Sequence, residues 1–189
     1  MRTNHSTDRL EAAFVTLLKT TPYERITVSA ITRQAKVNRG TFYLNYLDKE
    51  DLRSQLFDRL FAEVEQILTA RPLPANRIDC FDQETLEQII AYVQANFALL
   101  RPLLASDMRP QITARLKESL ATIFSARQVN LQQSRIRQPY ANELVLGGIV
   151  TIFVLWIDRD LAESPAELLG IIEKYRDLSP DAVYGAKMV

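Results

Sequence analysis

Gly40, Thr41, Tyr43, Leu44 and Asn45 crowd into one stretch, "KVNRGTFYLNYLDKEDL", residues 36–52. Wound into a helix, Phe42 and Tyr46 stand four positions apart and share one side, while Gly40 and Leu44 lie opposite, flanked by Thr41, Tyr43 and Asn45. The second face is small, polar and aromatic, with one aliphatic residue at its centre. Its hydroxyls and amide can bond phosphate oxygens or base edges, and a leucine suits contact with a thymine methyl in the major groove. Glycine lets a backbone come close. Singly exposed apolar residues are common, so by itself the stretch reads equally well as core filler. Lys49 tips the balance. A cation in the first turn of a helix opposes the macrodipole by about 0.3–1 kcal/mol, which makes better sense with a phosphate beside it.

The elements around this face read as short helices. "STDRLEAAFVTLLKT" places Leu10, Phe14, Leu17 and Leu18 on one side, with Ser6 or Thr7 as its cap and Pro22 just past its end. "TVSAITRQA" follows, capped by Thr27 and striped by Val28, Ile31 and Ala35; at this length it must pack on a neighbour to persist. "KVN" is a turn, and Asn38 caps the next helix, "RGTFYLNY". Two short helices joined by a tight turn, with a third before them, describe a helix-turn-helix over about residues 27–46. Asp48 then caps a long helix reaching about Thr69, with Asp51 in the reciprocal capping-box role and Leu47 and Leu52 placed for a hydrophobic staple. "ARPLPANR" reads as a linker. The domain boundary is expected earlier, near Asp48, giving a head of residues 1–48 and a body of residues 49–189, with the long helix shared between them.

Charge and composition narrow the chemistry. The chain has 189 residues and zero formal net charge, 47% of it apolar and 24% charged, as in soluble globular proteins. Residues 1–47 nevertheless carry seven basic groups against three acidic ones, so a basic head sits on an acidic body and favours a polyanionic partner. A single cysteine, Cys80, excludes an intrachain disulfide or a cysteine metal cluster, and the lone His5 sits at the chain's start. No nucleotide-binding glycine loop and no acidic pair at metal-ligand spacing in an apolar helix accompany them. No catalytic residue, metal or cofactor is expected, and a helical enzyme is the weakest competing reading. "MRTNHSTDRL" lacks the apolar run of a signal peptide, so a cytoplasmic protein is expected.

"ITVSAITRQAKVNRGTFYLNYLDKEDL", residues 26–52, resembles the signature of the TetR family of bacterial transcriptional regulators, whose usual form is close to G-V-S-R-G-T-F-Y-x-Y-F-x-x-K-E-x-L. The resemblance implies an all-helical homodimer whose N-terminal domain binds double-stranded DNA and whose C-terminal helices bind a small molecule that releases it. It implies that Arg39, Thr41, Tyr43, Leu44 and Asn45 lie along the recognition helix, that Ser29 is the nearest residue of the preceding helix, and that Lys49 meets a phosphate. Thr27 and Gly40 complete the expected DNA-facing set. One position departs from the pattern: Lys36 stands where the turn commonly has glycine, so a left-handed non-glycine residue is expected there, at a cost of about 1 kcal/mol.

Beyond the linker, helical stretches are expected at 83–104, 108–131 and 139–160, and "SPAE" at 164–167 starts a last one running to about Leu178, for an all-α chain of about nine helices. Leu144 to Ile157 is apolar on every side but too short for the roughly 18–20 residues of a membrane span. Such a helix must be buried on every side, by its own domain and by a second subunit. Leu146, Ile149, Val150, Phe153 and Trp156 are the expected dimer interface, with Gly147 and Gly148 allowing close helix approach. Phe61, Tyr92, Phe97, Met108 and Phe124 are the candidate effector-pocket residues, although aromatics at this spacing more often fill a core; Arg101, Arg109 and Arg115 are candidate anion holders. The function expected is a homodimeric repressor of a palindromic operator, released by a small-molecule effector. Gating by a protein partner is the alternative, and a cavity in the body would favour the small molecule. The helix from Asp48 is expected to be the only rigid element touching both regions, and so to carry the signal.

Overall fold

A computed structural model describes residues 5–70, 82–126 and 140–176. Most of the expected linker, the end of the stretch 108–131, the expected end of the last helix at Leu178 and the tail "SPDAVYGAKMV" lie outside the described residues. The described chain is all helical: α1 (His5–Leu18), α2 (Val28–Ala35), α3 (Arg39–Tyr43), α4 (Lys49–Thr69), α5 (Gln83–Ala95), α6 (Phe97–Ala105), α7 (Arg109–Ala126), α8 (Tyr140–Asp158) and α9 (Pro165–Arg176), with a 3-10 turn at Tyr23–Arg25.

Helix starts follow local capping chemistry. The Thr27 hydroxyl accepts the Ala30 N–H at 3.2 Å, Asn38 Oδ1 accepts that of Thr41 at 2.7 Å, and Asp48 Oδ1 accepts that of Asp51 at 2.7 Å. Each satisfies a donor with no partner inside its helix. Ser164 and Glu167 form a full capping box, the Ser164 N–H donating to Glu167 at 2.8 Å and the Glu167 N–H to Ser164 Oγ at 3.3 Å. Lys36 adopts the left-handed conformation, φ 55 and ψ 45. Arg9 of α1 steadies it by donating to the carbonyls of Ala35 (2.5 Å) and Lys36 (3.0 Å).

Four expectations are corrected. Ser6 and Thr7 do not cap α1, because the chain is already helical at His5. Leu47 and Leu52 form no staple: Leu47 is 80% exposed and Leu52 fully buried. The Asp51 carboxylate takes the Leu47 N–H at 2.8 Å, one residue before the cap, and the Leu47 side chain stays in solvent. The stretch 83–104 is two helices broken at Asn96, whose side chain donates to the Tyr92 carbonyl at 3.0 Å and so competes with the helical bond there. Finally, α4 is not alone in joining head to body, because α6 packs on both α1 and α8.

Two apolar clusters hold the molecule. Leu10, Phe14, Ile26, Ile31, Phe42 and Tyr46 form the head core, closed by Leu52 and Leu56 of α4, by Leu103 of α6 and by Met108 in the turn before α7. Leu86, Ile90, Leu104, Ile149, Trp156 and Ile172 belong to the body core. Burying a large apolar side chain contributes about 1.5–3 kcal/mol, so helices as short as α2 and α3 persist by packing rather than by propensity.

Candidate nucleic-acid interface and interior cavity

The expected helix "RGTFYLNY" is shorter, α3 ending at Tyr43 with Leu44 as its C-cap; it buries Phe42, with Tyr46 buried just past its end, and turns its other side outward, leaving Tyr43 50% and Leu44 86% exposed. Arg39 opens the exposed side. Its guanidinium donates to Ser29 Oγ of α2 at 3.3 Å and to the Tyr43 hydroxyl at 3.0 Å, and lies 5.8 Å from the Tyr43 ring. Ser29, Arg39 and Tyr43 therefore form one connected, solvent-facing cluster across two helices. Gly40 lies beside it, where a Cβ would come within 3.2 Å of the capping Asn38 oxygen. Thr41 is half-buried, its hydroxyl donating to the same oxygen at 3.0 Å, and Thr27 is exposed with its hydroxyl engaged as a cap.

Two residues expected on this face are turned elsewhere. Asn45 donates to the Thr41 carbonyl at 2.7 Å and accepts from the Thr7 hydroxyl at 3.2 Å, bracing α3 against α1. The Lys49 ammonium donates to the carbonyls of Tyr23 and Glu24, both at 3.2 Å, and sits 4.5 Å above the Tyr23 ring. It caps the 3-10 turn, where carbonyl oxygens supply the negative partner that the helix start denies it. Arg53 lies 4.7 Å from the same ring. Burial pushes the Tyr23 phenol up to about 12, with Arg53 opposing and the hydrogen-bonded Glu50 adding to the rise.

A buried relay beneath the face escaped the sequence reading. Glu11 is buried on α1; it accepts the Tyr46 hydroxyl at 3.1 Å and pairs with Arg59 of α4 through its other oxygen. The signal was available: Glu11 is a charge set inside the apolar stripe of α1, between Leu10 and Phe14. A second tie joins head and body, the Tyr23 N–H donating to Asp107 at 3.3 Å.

In the body, a cavity of about 120 Å³ opens among α4 to α8. Phe61 and Tyr92 line it, as expected; Phe97 faces a separate outer hollow beside Lys19 and Arg101, and Met108 is buried in the head core. The side chain of Phe124 lies outside the described residues. The lining is hydrocarbon apart from Tyr92 and Thr113, and both hydroxyls are spent on backbone carbonyls, of Leu60 (3.1 Å) and Arg109 (2.9 Å). Burial raises the Tyr92 phenol well above its ordinary range. The candidate anion holders are paired: Arg101 with Asp160 at 2.9 Å, Arg109 bidentate to Asp158 at 2.8 Å, and Arg115 with Asp58.

The residues expected at a dimer interface are committed inside the protomer. Ile149, Val150 and Phe153 line the cavity, and Leu146 and Trp156 are buried, the Trp156 indole N–H donating to the Glu163 carbonyl at 2.9 Å. Helix α8 instead leaves Tyr140, Leu144, Thr151 and Leu155 exposed at helical spacing on one face. Gly148 does serve a close approach, to α9 of its own chain: a Cβ there would overlap the Tyr175 phenol, whose hydroxyl donates to the Leu144 carbonyl at 2.5 Å. Among the described residues no acidic, histidine or cysteine cluster could hold a metal, and no helix is long and apolar enough to cross a membrane.

Comparison with known proteins agrees with this architecture. Residues 10–56 match the family model described as bacterial regulatory proteins, tetR family, and residues 83–177 match one described as transcriptional regulator C-terminal region. The chain is 24% identical over 173 residues to an uncharacterized HTH-type transcriptional regulator, YxbF, of Bacillus subtilis (strain 168), covering 90% of this chain and 44% of that protein. It spans less than half the length of the curated relatives it matches. Among solved structures, a TetR transcriptional regulator from Streptococcus agalactiae 2603V superposes with a TM-score of 0.60 at 22% identity, covering 88% of this chain and 93% of that one. FadR of Thermus thermophilus, a TetR-family repressor in complex with lauroyl-CoA, superposes with a TM-score of 0.52 at 20% identity, covering 97% and 96%. At these identities the solved structures speak for the fold.

Proposed function

The chain belongs to the TetR family of bacterial transcriptional regulators, and we propose that it acts in the cytoplasm as a homodimeric repressor that grips a palindromic DNA site and lets go when a small molecule fills the body cavity. The observation that carries the DNA-binding half is the connected Ser29–Arg39–Tyr43 cluster beside the outward Leu44, on a helix whose opposite side is anchored in the head core. Arg25, Arg33 and Lys36 are exposed on the same head and can supply phosphate contacts, which bring most of the affinity and make it fall with salt. Lys49 joins them if a phosphate draws its ammonium away from the Tyr23 and Glu24 carbonyls.

Dimerisation is supported by the apolar stripe that α8 leaves in solvent, because isolated protomers seldom keep such a face bare. Gating by a small molecule is supported over a protein partner by the cavity itself. Phe57, Leu60 and Phe61 of α4 line it, and Arg59 on the same helix holds Glu11 and through it Tyr46. Leu103 of α6 both lines the cavity and packs in the head core. A ligand that displaces these helices needs a differential affinity of only about 1–3 kcal/mol to weaken DNA binding 5–150-fold.

The test is selection of duplexes from a random pool, followed by measurement of stoichiometry. The expected product is an inverted repeat bound by two chains, with half-sites about one helical turn, 34–36 Å, or a multiple of it apart. Selected sites without two-fold symmetry, bound by one chain each, would remove the dimeric reading.

A further inference from the structure

Resting on the reading of the cavity as the effector site, we infer that the effector is recognised through a hydrocarbon chain alone, and that chain length decides whether it releases DNA. The walls supply no charge, and their only hydroxyls, those of Tyr92 and Thr113, already donate to backbone carbonyls. An ionised head drawn inside would be stripped of water with nothing to pair with, which is strongly unfavourable. Each nearby guanidinium of Arg101, Arg109 and Arg115 is held by its own aspartate. The chain therefore enters and any charged head stays in solvent.

Size supplies the second half. A dry apolar cavity of about 150 Å³ accepts one benzene ring, so the 120 Å³ available here takes no more than about six carbons without rearrangement. A longer chain must push the walls apart. One wall is α4, which carries Arg59 and hence the Glu11–Tyr46 contact beneath the recognition helix. Short chains fill the space that exists; long chains spend binding energy on moving α4.

The hydrocarbon could come from a neutral lipid-like molecule or from an acyl thioester whose head remains outside, and the two are separable. The probes are 1-butanol, 1-hexanol, 1-decanol, hexanoate and decanoyl-coenzyme A. Binding is read from the fluorescence of Trp156, the chain's single tryptophan, whose ring lies 6.4 Å from that of the cavity-lining Phe153. Release is read from anisotropy of a labelled duplex selected by the protein. Hexanol should bind on the order of sixteenfold more tightly than butanol, about fourfold per methylene, without releasing DNA. Decanol should bind and release. Hexanoate should bind more weakly than hexanol, its carboxylate being held at the mouth, and should not release DNA. Release by decanol alone assigns a neutral effector, and release by decanoyl-coenzyme A as well assigns an acyl carrier; both agree with recognition by the chain. Hexanoate binding as tightly as hexanol would overturn the uncharged recognition, and hexanol releasing DNA as fully as decanol would overturn the length rule. Val154→Phe and Val64→Phe, which wedge a ring into the same space from α8 and α4, separate this inference from the reading beneath it. If either folded wedge loosens DNA while no alcohol perturbs Trp156, gating stands and the hydrocarbon effector falls. If both fold and hold DNA like the parent, the gating falls and the inference with it.

Discussion

The Tyr46 hydroxyl donates to the Glu11 carboxylate at 3.1 Å, on the far side of the recognition helix from the exposed Leu44. Glu11 is in turn paired with Arg59, which stands on α4 between the cavity-lining Phe57 and Phe61. The contact thus joins the DNA-facing element to the wall an effector would move. Burial, reinforced by the Glu11 charge, raises the Tyr46 phenol far above its ordinary range. Tyr46→Phe leaves Glu11 short of a donor, and the expected loss is about 1–3 kcal/mol in urea unfolding. The same variant should blunt effector-driven release, read as a larger effector concentration at half release.

Alkaline pH should destabilise head and body through this phenol and two others. Tyr23 titrates near 12 when folded against 10.0 for a free phenol, and Tyr46 and Tyr92 are raised in the same direction. Raised folded values mean that the stability is fully present below about pH 10 and is lost as pH climbs towards the folded values, because only the unfolded chain releases its protons in that window. Unfolding followed by tyrosinate absorbance should therefore show the midpoint falling from about pH 10 upward. Tyr46→Phe should flatten that fall.

Gly148→Ala should destabilise the protein despite a gain of about 1 kcal/mol in helix propensity, because the Tyr175 phenol occupies the space of the new methyl. Overpacking of this kind costs about 1–3 kcal/mol. In a Tyr175→Ala background the obstruction is gone and the sign should reverse. Thermal melts of the four proteins check both signs.

For the dimer, the exposed and buried sides of α8 give opposite expectations. Leu155 is 56% exposed on the free protomer, so Leu155→Glu should yield a folded monomer by sedimentation, with helical circular dichroism intact. Ile149 is buried against the cavity, so Ile149→Glu should unfold the body instead, since nothing there can pair a carboxylate. A Leu155→Glu dimer indistinguishable from the parent would remove this face from the interface.

These contrasts mark what the sequence could and could not convey. The caps at Thr27, Asn38, Asp48 and Ser164 were legible because each is a local contact between residues three apart. The left-handed Lys36 and the inward Phe42 and Tyr46 were legible for the same reason, since turn geometry and helical phase need no distant partner. The orientation of α8 was not. A helix apolar on every side has no phase, and only the packing of the rest of its own domain, α9 included, decides which side its own protomer takes. Lys49 misled in a related way: its partners are carbonyls 25 and 26 residues away, invisible to an argument about its own helix start. At Leu47, spacing permitted a staple, but the Asp51 carboxylate held the Leu47 N–H and left the side chain in water.

Whether the α3 face reads DNA is decided by affinity for a duplex selected by the parent protein, measured at fixed salt for Arg39→Ala and Tyr43→Ala. Both side chains are exposed: Arg39 reaches Ser29 and Tyr43, and Tyr43 adds an edge contact to the Phe42 ring, 5.5 Å between centroids, so both variants should keep the parent's circular dichroism and Arg39→Ala its urea midpoint as well. Each should lose about 1–3 kcal/mol of binding, roughly a factor of 5 to 150 in Kd. Two folded variants that bind the selected duplex as tightly as the parent would contradict DNA reading by this face.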